Sequence, residues 1–410
     1  MPSSTASFAN NTPLRRRLWL TVLLAVWIIH GDAQLKRYDT DFFVSQRDFL
    51  VAVPIEVERN QIFVTLDFGG RPYRFKLDTG ASQGVLYDDV QLPGVRTLGT
   101  IESEDAAGNV RQMKTVQLPP FRLGSLTVSG YKVQRMSRRV VRRGEDGIIG
   151  FALFNKGIAA RIDTREHQLT LTDRRDHYAY TPGEALKYRL HKHVPYIKIS
   201  PFADVSEEVL FDTGSPLPYA VNATKFAQMR NLHPEIEHQI EGSTYGSHAM
   251  GHFGSERSGQ IMLLALQRLQ WGEFAFRDIH CTTVNGGSHV GALLLDYGAV
   301  VINPFRRQLV FQPYDGTASA TVSNRLHDIV IVERNGRAMI GMVMQDGKAW
   351  AAGFRPNVLI ESVNGQPLTF EQFLRYRWVR NQEYVFTLQL PNGISTTLRA
   401  FWPLQYNQQD

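Results

Sequence analysis

The sequence predicts a mainly β protein: two lobes of similar length built as β-barrels and related by a pseudo-two-fold axis, followed by a small β/α domain. Three observations predict it. The word Asp-Thr-Gly occurs twice, at Asp78-Thr79-Gly80 and Asp212-Thr213-Gly214, each time ending an apolar run that reads as a strand. A second block recurs downstream of each, as Ile148-Ile149-Gly150 and His289-Val290-Gly291. The residues after Ser323 follow neither pattern. A given three-residue word turns up by chance roughly 0.1 times in a chain of this length, so the paired words point to duplication rather than to two ordinary turns.

The chain begins with an export pattern. Arg15, Arg16 and Arg17 precede an apolar stretch from Leu18 to Ile29, and Gly31 and Ala33 supply small residues at a cleavage site. Residues 1–33 therefore read as a signal peptide. The apolar run is shorter than the roughly 20 residues of a membrane span. An uncleaved anchor is the alternative, and membrane contact is expected only in that case. Cys281 is the only cysteine, so no intrachain disulfide forms. An exported chain without disulfides points to a bacterial periplasm or cell envelope, with secretion as the alternative. Cys281 stands among Phe276, Ile279 and Val284 and reads as a buried thiol.

Apolar residues make up 43% and charged ones 20%, which suits packed cores rather than disorder. A net charge of +6 is too small and scattered to predict a nucleic-acid partner. The one cluster, Arg135, Arg138, Arg139, Arg142 and Arg143, reads as a solvated loop or edge face, with an anion patch or a protease-sensitive loop as sharper readings.

The first lobe is expected over residues 45–180. Residues 35–57 have strand character and read as part of an interlobe sheet, with a propeptide as the alternative. Ile62 to Phe68 alternates, Gly69-Gly70 turns, and Tyr73 to Leu77 alternates again into Asp78. A hairpin tip at Ala106, Ala107, Gly108 and Asn109 reads as a flexible lid, or as an ordinary turn. The second lobe, over residues 185–313, repeats the scheme. Tyr196 to Ile199 leads to a turn, and Glu208 to Phe211 runs into Asp212. Gly150 and Gly157 are seven apart, as are Gly291 and Gly298, so each block reads as a strand, a short helix ended by glycine, and another strand. The Gly-rich stretch from Gly242 to Gly259 reads as a wall opposite the lid. Its His248 and His252 have Gly251 between them and are read as having no acidic ligand nearby, so no metal site is predicted. His191 and His193 read as surface residues. Asp315 to Ser323 reads as a linker. A short β run, a helix and a hairpin turning at Pro391-Asn392-Gly393 complete the chain.

Residues 45–313 resemble the retropepsin-like and pepsin-like aspartic peptidases. The resemblance rests on apolar-apolar-Asp-Thr-Gly in each lobe and on the later apolar-apolar-Gly block; His289 departs from it at the first apolar position. It implies that Asp78 and Asp212 form a catalytic dyad. Thr79 and Thr213 would cross-brace the two loops, and Gly80 and Gly214 would admit close backbone approach and donate N–H groups to the carboxylates. Ser215 stands where a hydroxyl often bonds the outer carboxylate oxygen; Ala81 takes that place in the first lobe, as in retroviral-type enzymes. Two carboxylates about 3 Å apart cannot both ionise, so the pair offers one acid and one base. The implied activity is an aspartic endopeptidase acting on peptide or unfolded protein, without metal or organic cofactor. With both halves in one chain, a monomer is expected. The reading of a different class is a non-catalytic peptide-binding protein, kept open by His289 and by Pro216 after Ser215. Ala81 removes one hydrogen bond to the ionised form, which predicts a working pH nearer neutral than in gastric-type enzymes.

Residues 325–403 resemble a PDZ domain. The features are Met339-Ile340-Gly341-Met342, Ala349-Trp350-Ala351-Ala352-Gly353-Phe354, and Ile360 to Leu368, followed by a helix over Leu368 to Tyr376. The resemblance implies that a peptide adds as a strand along Met339, Ile340, Gly341 and Met342, with backbone amides holding protein C-termini. Pro356-Asn357 replaces the family's usual Gly-Asp. A domain that only packs on the peptidase is the alternative.

Overall fold

A computed structural model describes residues 40–138, 144–379 and 382–402. The expected signal peptide, Arg139, Arg142, Arg143 and the boundary at Pro403 lie outside the described residues.

Alternating apolar positions build the strand that carries each aspartate. Gln61–Phe68 pairs antiparallel with Arg71–Asp78. Gly69 and Gly70 join them at φ 64° and 90°, the left-handed pair that a two-residue hairpin turn requires. In the second lobe Val194–Phe202 pairs antiparallel with Val205–Asp212.

A third strand then threads beside each aspartate strand. Gly147–Gly150 runs parallel to Arg71–Asp78, with Gly150 opposite Asp78, and antiparallel to Gly84–Tyr87. His289–Gly291 runs parallel to Val205–Asp212, with Gly291 opposite Asp212, and antiparallel to Tyr219–Asn222. A Cβ on Gly150 would sit 2.6 Å from the Ala81 carbonyl oxygen, and one on Gly291 2.3 Å from that of Leu217, so both positions exclude side chains. Short 3-10 helices follow, at Phe151–Phe154 and Ala292–Asp296. Gly157, at φ 79°, follows the first of them. Gly298 does not end the second: it opens the strand Gly298–Asn303, where a Cβ would meet the Phe311 ring at 2.5 Å.

Six antiparallel strands join the lobes, in the order Leu50–Glu58, Gln168–Thr172, Ala159–Asp163, Gly298–Asn303, Gln308–Pro313 and Glu184–His191. The central pairing, Ala160–Ile162 against Val300–Ile302, is where the two halves meet. The later part of the lead-in, Leu50–Glu58, is thus the outer strand of the interlobe sheet, while Phe43–Val44 pairs within the first lobe and residues 35–39 lie outside the described residues. Ile162, Val300, Ile302 and Leu309 are buried there in one continuous apolar core. Cys281 is buried, and burial pushes its thiol well above the usual range.

The expected linker is not free. Ser319–Thr321 pairs parallel with Ala275–Arg277 of the second lobe. The C-terminal unit is a sheet in the order Ile329–Arg334, Arg337–Val343, Val358–Val363, Gln382–Gln389, Ser395–Trp402. It carries two short helices rather than one, Lys348–Ala351 and Phe370–Arg375. Thr369 and Gln372 close a capping box on the second, which starts it two residues later than expected. Phe354, Phe386 and Trp402 pack edge to face in its core.

Candidate active site

The two aspartate loops meet at the pseudo-two-fold axis. Their carboxyl groups face one another closely enough for each to shift the other's ionisation. Each lies over the opposite loop's glycine: a Cβ on Gly80 would sit 2.5 Å from the Asp212 carboxyl carbon, and one on Gly214 2.4 Å from that of Asp78. Any larger residue at either position would push the pair apart.

The threonines hold this contact from beneath. Thr79 N donates to Thr213 Oγ1 at 3.0 Å, and Thr213 N donates to Thr79 Oγ1 at 2.9 Å. Each hydroxyl then donates across the axis, Thr79 Oγ1 to the Phe211 carbonyl at 2.7 Å and Thr213 Oγ1 to the Leu77 carbonyl at 2.8 Å. Both residues are fully buried, where four satisfied hydrogen bonds make the crossing rigid.

The surroundings of the two carboxyls differ. Asp78 Oδ1 accepts from Gly80 N at 3.0 Å and Ala81 N at 3.1 Å. Asp212 Oδ1 accepts from Gly214 N at 2.8 Å. Lys76 Nζ lies 3.3 Å from Asp78 Oδ2, with both side chains about a tenth exposed. Burial alone would raise the Asp78 carboxyl. The charges of Lys76 and His252, with hydrogen bonds from Asp212 and Lys76, outweigh it and hold Asp78 below the ordinary carboxylate value. Asp212 is pushed up to about 7, first by burial and then by the negative charge of Asp78. The pair therefore presents one ionised and one protonated carboxyl over a broad range. Lys76 also supplies the positive influence that a hydroxyl at Ala81 would have given, so the absent hydroxyl does not raise Asp78.

Ser215 departs from its expected role. Its hydroxyl bonds His289 Nε2 at 3.1 Å rather than the Asp212 carboxyl. The imidazole at the irregular position of the second block is what draws it away. Burial holds His289 below the usual histidine value.

The expected lid is the hairpin Arg96–Glu104 and Val110–Gln117, with Ala106, Ala107, Gly108 and Asn109 at its tip. Asp105 shapes the turn: Oδ1 accepts from Ala107 N at 3.0 Å and Asn109 N at 2.8 Å. The tip is seated on the second lobe. Phe253 N donates to Asp105 Oδ2 at 2.6 Å, Arg111 Nη2 donates to the Phe253 carbonyl at 3.3 Å, and the Ala106 carbonyl lies against Gly286. The Gly-rich stretch does face the lid, through the small hairpin Met250–Gly251 and Gly254–Ser255. An acidic partner is nearby after all: His248 Nδ1 lies 3.1 Å from Oε1 of Glu256, within the same stretch of sequence. Among the described residues no group of three or more His, Cys, Asp or Glu side chains is placed to hold a metal. His191 is exposed, and His193 is half-buried.

Arg135 bonds Asp88, and Arg138 bonds Asp89 and lies over the Tyr87 ring. These two arginines brace the lobe rather than form an open anion patch.

The C-terminal strand departs from its expected role as an open peptide-binding edge. Met339, Ile340, Gly341 and Met342 are buried in mid-strand, not open at a strand start. Ser247 N donates to the Gly341 carbonyl at 2.8 Å, Thr244 Oγ1 donates to the Val343 carbonyl at 2.5 Å, and Met342 packs with Ile261 and Leu263. The strand lies inside its sheet, with Ile329–Arg334 paired along one side and Val358–Val363 paired with Ala338–Ile340 on the other, and the second lobe takes up the remaining carbonyls of Gly341 and Val343. An exposed edge cannot be told from a covered one by the sequence of the strand alone.

Lys76 and His252 were missed at the sequence level. Lys76 was findable, because residues two apart on a strand share a face and Asp78 faces the axis. His252 reaches the site through the fold of a distant hairpin and left no local signal.

A duplicated β lobe with crossed Asp-Thr-Gly loops and paired carboxyls defines the class of two-lobed aspartate-dyad proteins. Within it, residues 64–153 match the family model described as Aspartyl protease. That match, with the topology above, gives the lobes an aspartic-peptidase fold. Among solved structures, an aspartic proteinase from Irpex lacteus is similar at 14% identity and a TM-score of 0.41, covering 65% of this chain and 97% of that one. No curated protein matches the chain in sequence.

Proposed function

We propose that this chain is an exported aspartic endopeptidase that cleaves peptides or unfolded proteins as a monomer, without a metal or organic cofactor. The observation that carries the reading is the facing pair of unequal carboxyls at Asp78 and Asp212, each lying over the opposite loop's glycine and fixed from below by Thr79 and Thr213. Asp78, ionised, takes a proton from water as the oxygen attacks the peptide carbonyl carbon. Asp212, protonated, gives its proton to the carbonyl oxygen. The tetrahedral adduct then collapses: Asp78 gives its proton to the leaving nitrogen as the C–N bond breaks, and Asp212 takes back a hydroxyl proton as the carbonyl re-forms, which restores the starting states. The seated lid keeps bulk water from the reacting carbonyl. Export rests on the N-terminal pattern alone.

The C-terminal unit is read as a support for the wall opposite the lid. Ser255 Oγ donates to the Glu333 carbonyl at 3.1 Å, and Met250 packs on the unit's core. The test of the activity is cleavage of an unfolded protein by the full chain, scanned from about pH 3 to 8. Wild type should cut and a pepstatin-type inhibitor should stop it. Binding of the polypeptide without any cleavage at any pH would favour the non-catalytic alternative.

A further inference from the structure

The loops that carry the dyad are close to two-fold symmetric, yet the reaction needs two different carboxyls. Something must break the symmetry. Position 76 stands two residues before Asp78, and position 210 two before Asp212. The first holds lysine, the second leucine. Strand alternation puts each on the same face as its aspartate. Lys76 Nζ reaches Asp78 Oδ2 at 3.3 Å in a setting where both side chains are largely shielded from solvent. Leu210 offers Asp212 no charge.

We propose, on the peptidase reading above, that Lys76 is a positioning residue that assigns the two roles of the dyad, fixing Asp78 as the base and leaving Asp212 as the acid. Two further asymmetries act in the same direction. Asp78 Oδ1 accepts two backbone N–H groups, whereas Asp212 Oδ1 accepts one. Ser215, the hydroxyl nearest to giving Asp212 a second donor, is held by His289. The ammonium is the strongest of the three, because an opposite charge within about 4–6 Å lowers a carboxyl by about 1–3 units, and the effect grows with burial.

The other charged or titratable groups facing the pair are few. Asp212 faces Asp78 across the axis, His252 approaches Asp78 from the second lobe's hairpin, and Tyr196 lies within electrostatic reach of Asp212. Protonated His252 acts on Asp78 with the same sign as Lys76.

The sign of the effect is definite. Removing the ammonium makes Asp78 easier to protonate, so activity fails at a higher pH on the acid side. It also makes Asp212 harder to ionise, so the alkaline limb moves up as well. The variants are Lys76→Met, which keeps the length of the side chain without its charge, and Lys76→Arg, which keeps the charge. The first measurement is kcat/KM against pH on an unfolded protein. Lys76→Met should move the acid limb up by about one pH unit or more, and Lys76→Arg should return it toward wild type. An acid limb unmoved in Lys76→Met would overturn the proposal. The second measurement does not need turnover. Carbon-13 NMR of aspartate carboxyls in the full chain, assigned with Asp78→Asn and Asp212→Asn, should show the Asp78 resonance titrating about one unit higher in Lys76→Met. The same resonance titrating unchanged also overturns it. A wild type that never cleaves, yet shows this NMR shift, would sink the peptidase reading and leave the role of Lys76 standing.

Discussion

The first and second aspartate loops share a frame and differ in their surroundings. The frame is symmetric to within about 0.1 Å: reciprocal threonine bonds of 3.0 and 2.9 Å, hydroxyl-to-carbonyl bonds of 2.7 and 2.8 Å, and a glycine beneath each opposing carboxyl. The surroundings are unequal, with Lys76 and Ala81 on one side and Leu210, Ser215 and His289 on the other. Duplication delivers two equivalent carboxyls to one point. The local substitutions then make them inequivalent, and an acid–base pair depends on that inequality.

The largest expected effect removes a carboxyl. Asp78→Asn and Asp212→Asn should each lower kcat by about 10²–10⁴-fold, since each deletes one half of the proton transfer. Active-site titration with a pepstatin-type ligand, alongside turnover, checks that the cleft survives. A loss confined to one of the two variants would mean that the carboxyls do not work as a pair.

The frame should break symmetrically. Thr79→Val and Thr213→Val each remove one buried acceptor and one buried donor and leave their partners unsatisfied. Each should cost about 3 kcal/mol, read as a lower denaturation midpoint in urea at unchanged slope. Costs differing by more than about twofold would show that the crossing is not equally shared.

The surroundings should appear in the dependence of stability on pH. Asp212 is raised to about 7 in the folded state, against 3.8 for the free group. The folded chain keeps this proton where the unfolded chain releases it, so Asp212 makes stability fall as pH climbs from about 4 to 7. Asp78 is lowered, so its contribution is present above its unfolded value and is lost as pH falls through its folded value. Melting temperatures of wild type and Asp212→Asn should therefore diverge across about pH 4–7, with the shallower slope in the variant. Parallel curves would remove the claimed difference between the loops.

The smallest effect concerns Ser215. Ser215→Ala makes the second loop resemble the first at this position and deletes the bond to His289. It should cost about 1 kcal/mol of stability and leave the alkaline limb of activity in place, because the hydroxyl does not hold the Asp212 carboxyl. Calorimetry and the pH–rate profile read the two parts separately.

Much of this site was legible because its signals are short-range. Alternation ending in Asp-Thr-Gly located both strands, their turns and both carboxyls, and the spacing of the glycine blocks exposed the duplication. The hydroxyl of Ser215 was misassigned because its partner, His289, is 74 residues away in sequence. The C-terminal strand was misjudged for a similar reason. Met339 to Met342 reads the same whether the strand is open along one side or, as here, paired with Ile329–Arg334 and Val358–Val363 and capped by Ser247 at Gly341. The stretch from Asp315 to Ser323 has a linker's composition but adds a short strand to the second lobe, as small residues permit when a partner edge is available.

The sequence by itself determined the two β lobes, the identity of the paired carboxyls and the threonines and glycines that serve them, since backbone geometry and strand period act over a few residues. Only the tertiary structure decided how unequal the pair is, where Ser215 points, how the lid tip is seated and which strand edge is covered. Those depend on charges, donors and surfaces brought together from remote parts of the chain, and no local pattern encodes a neighbour that arrives through folding.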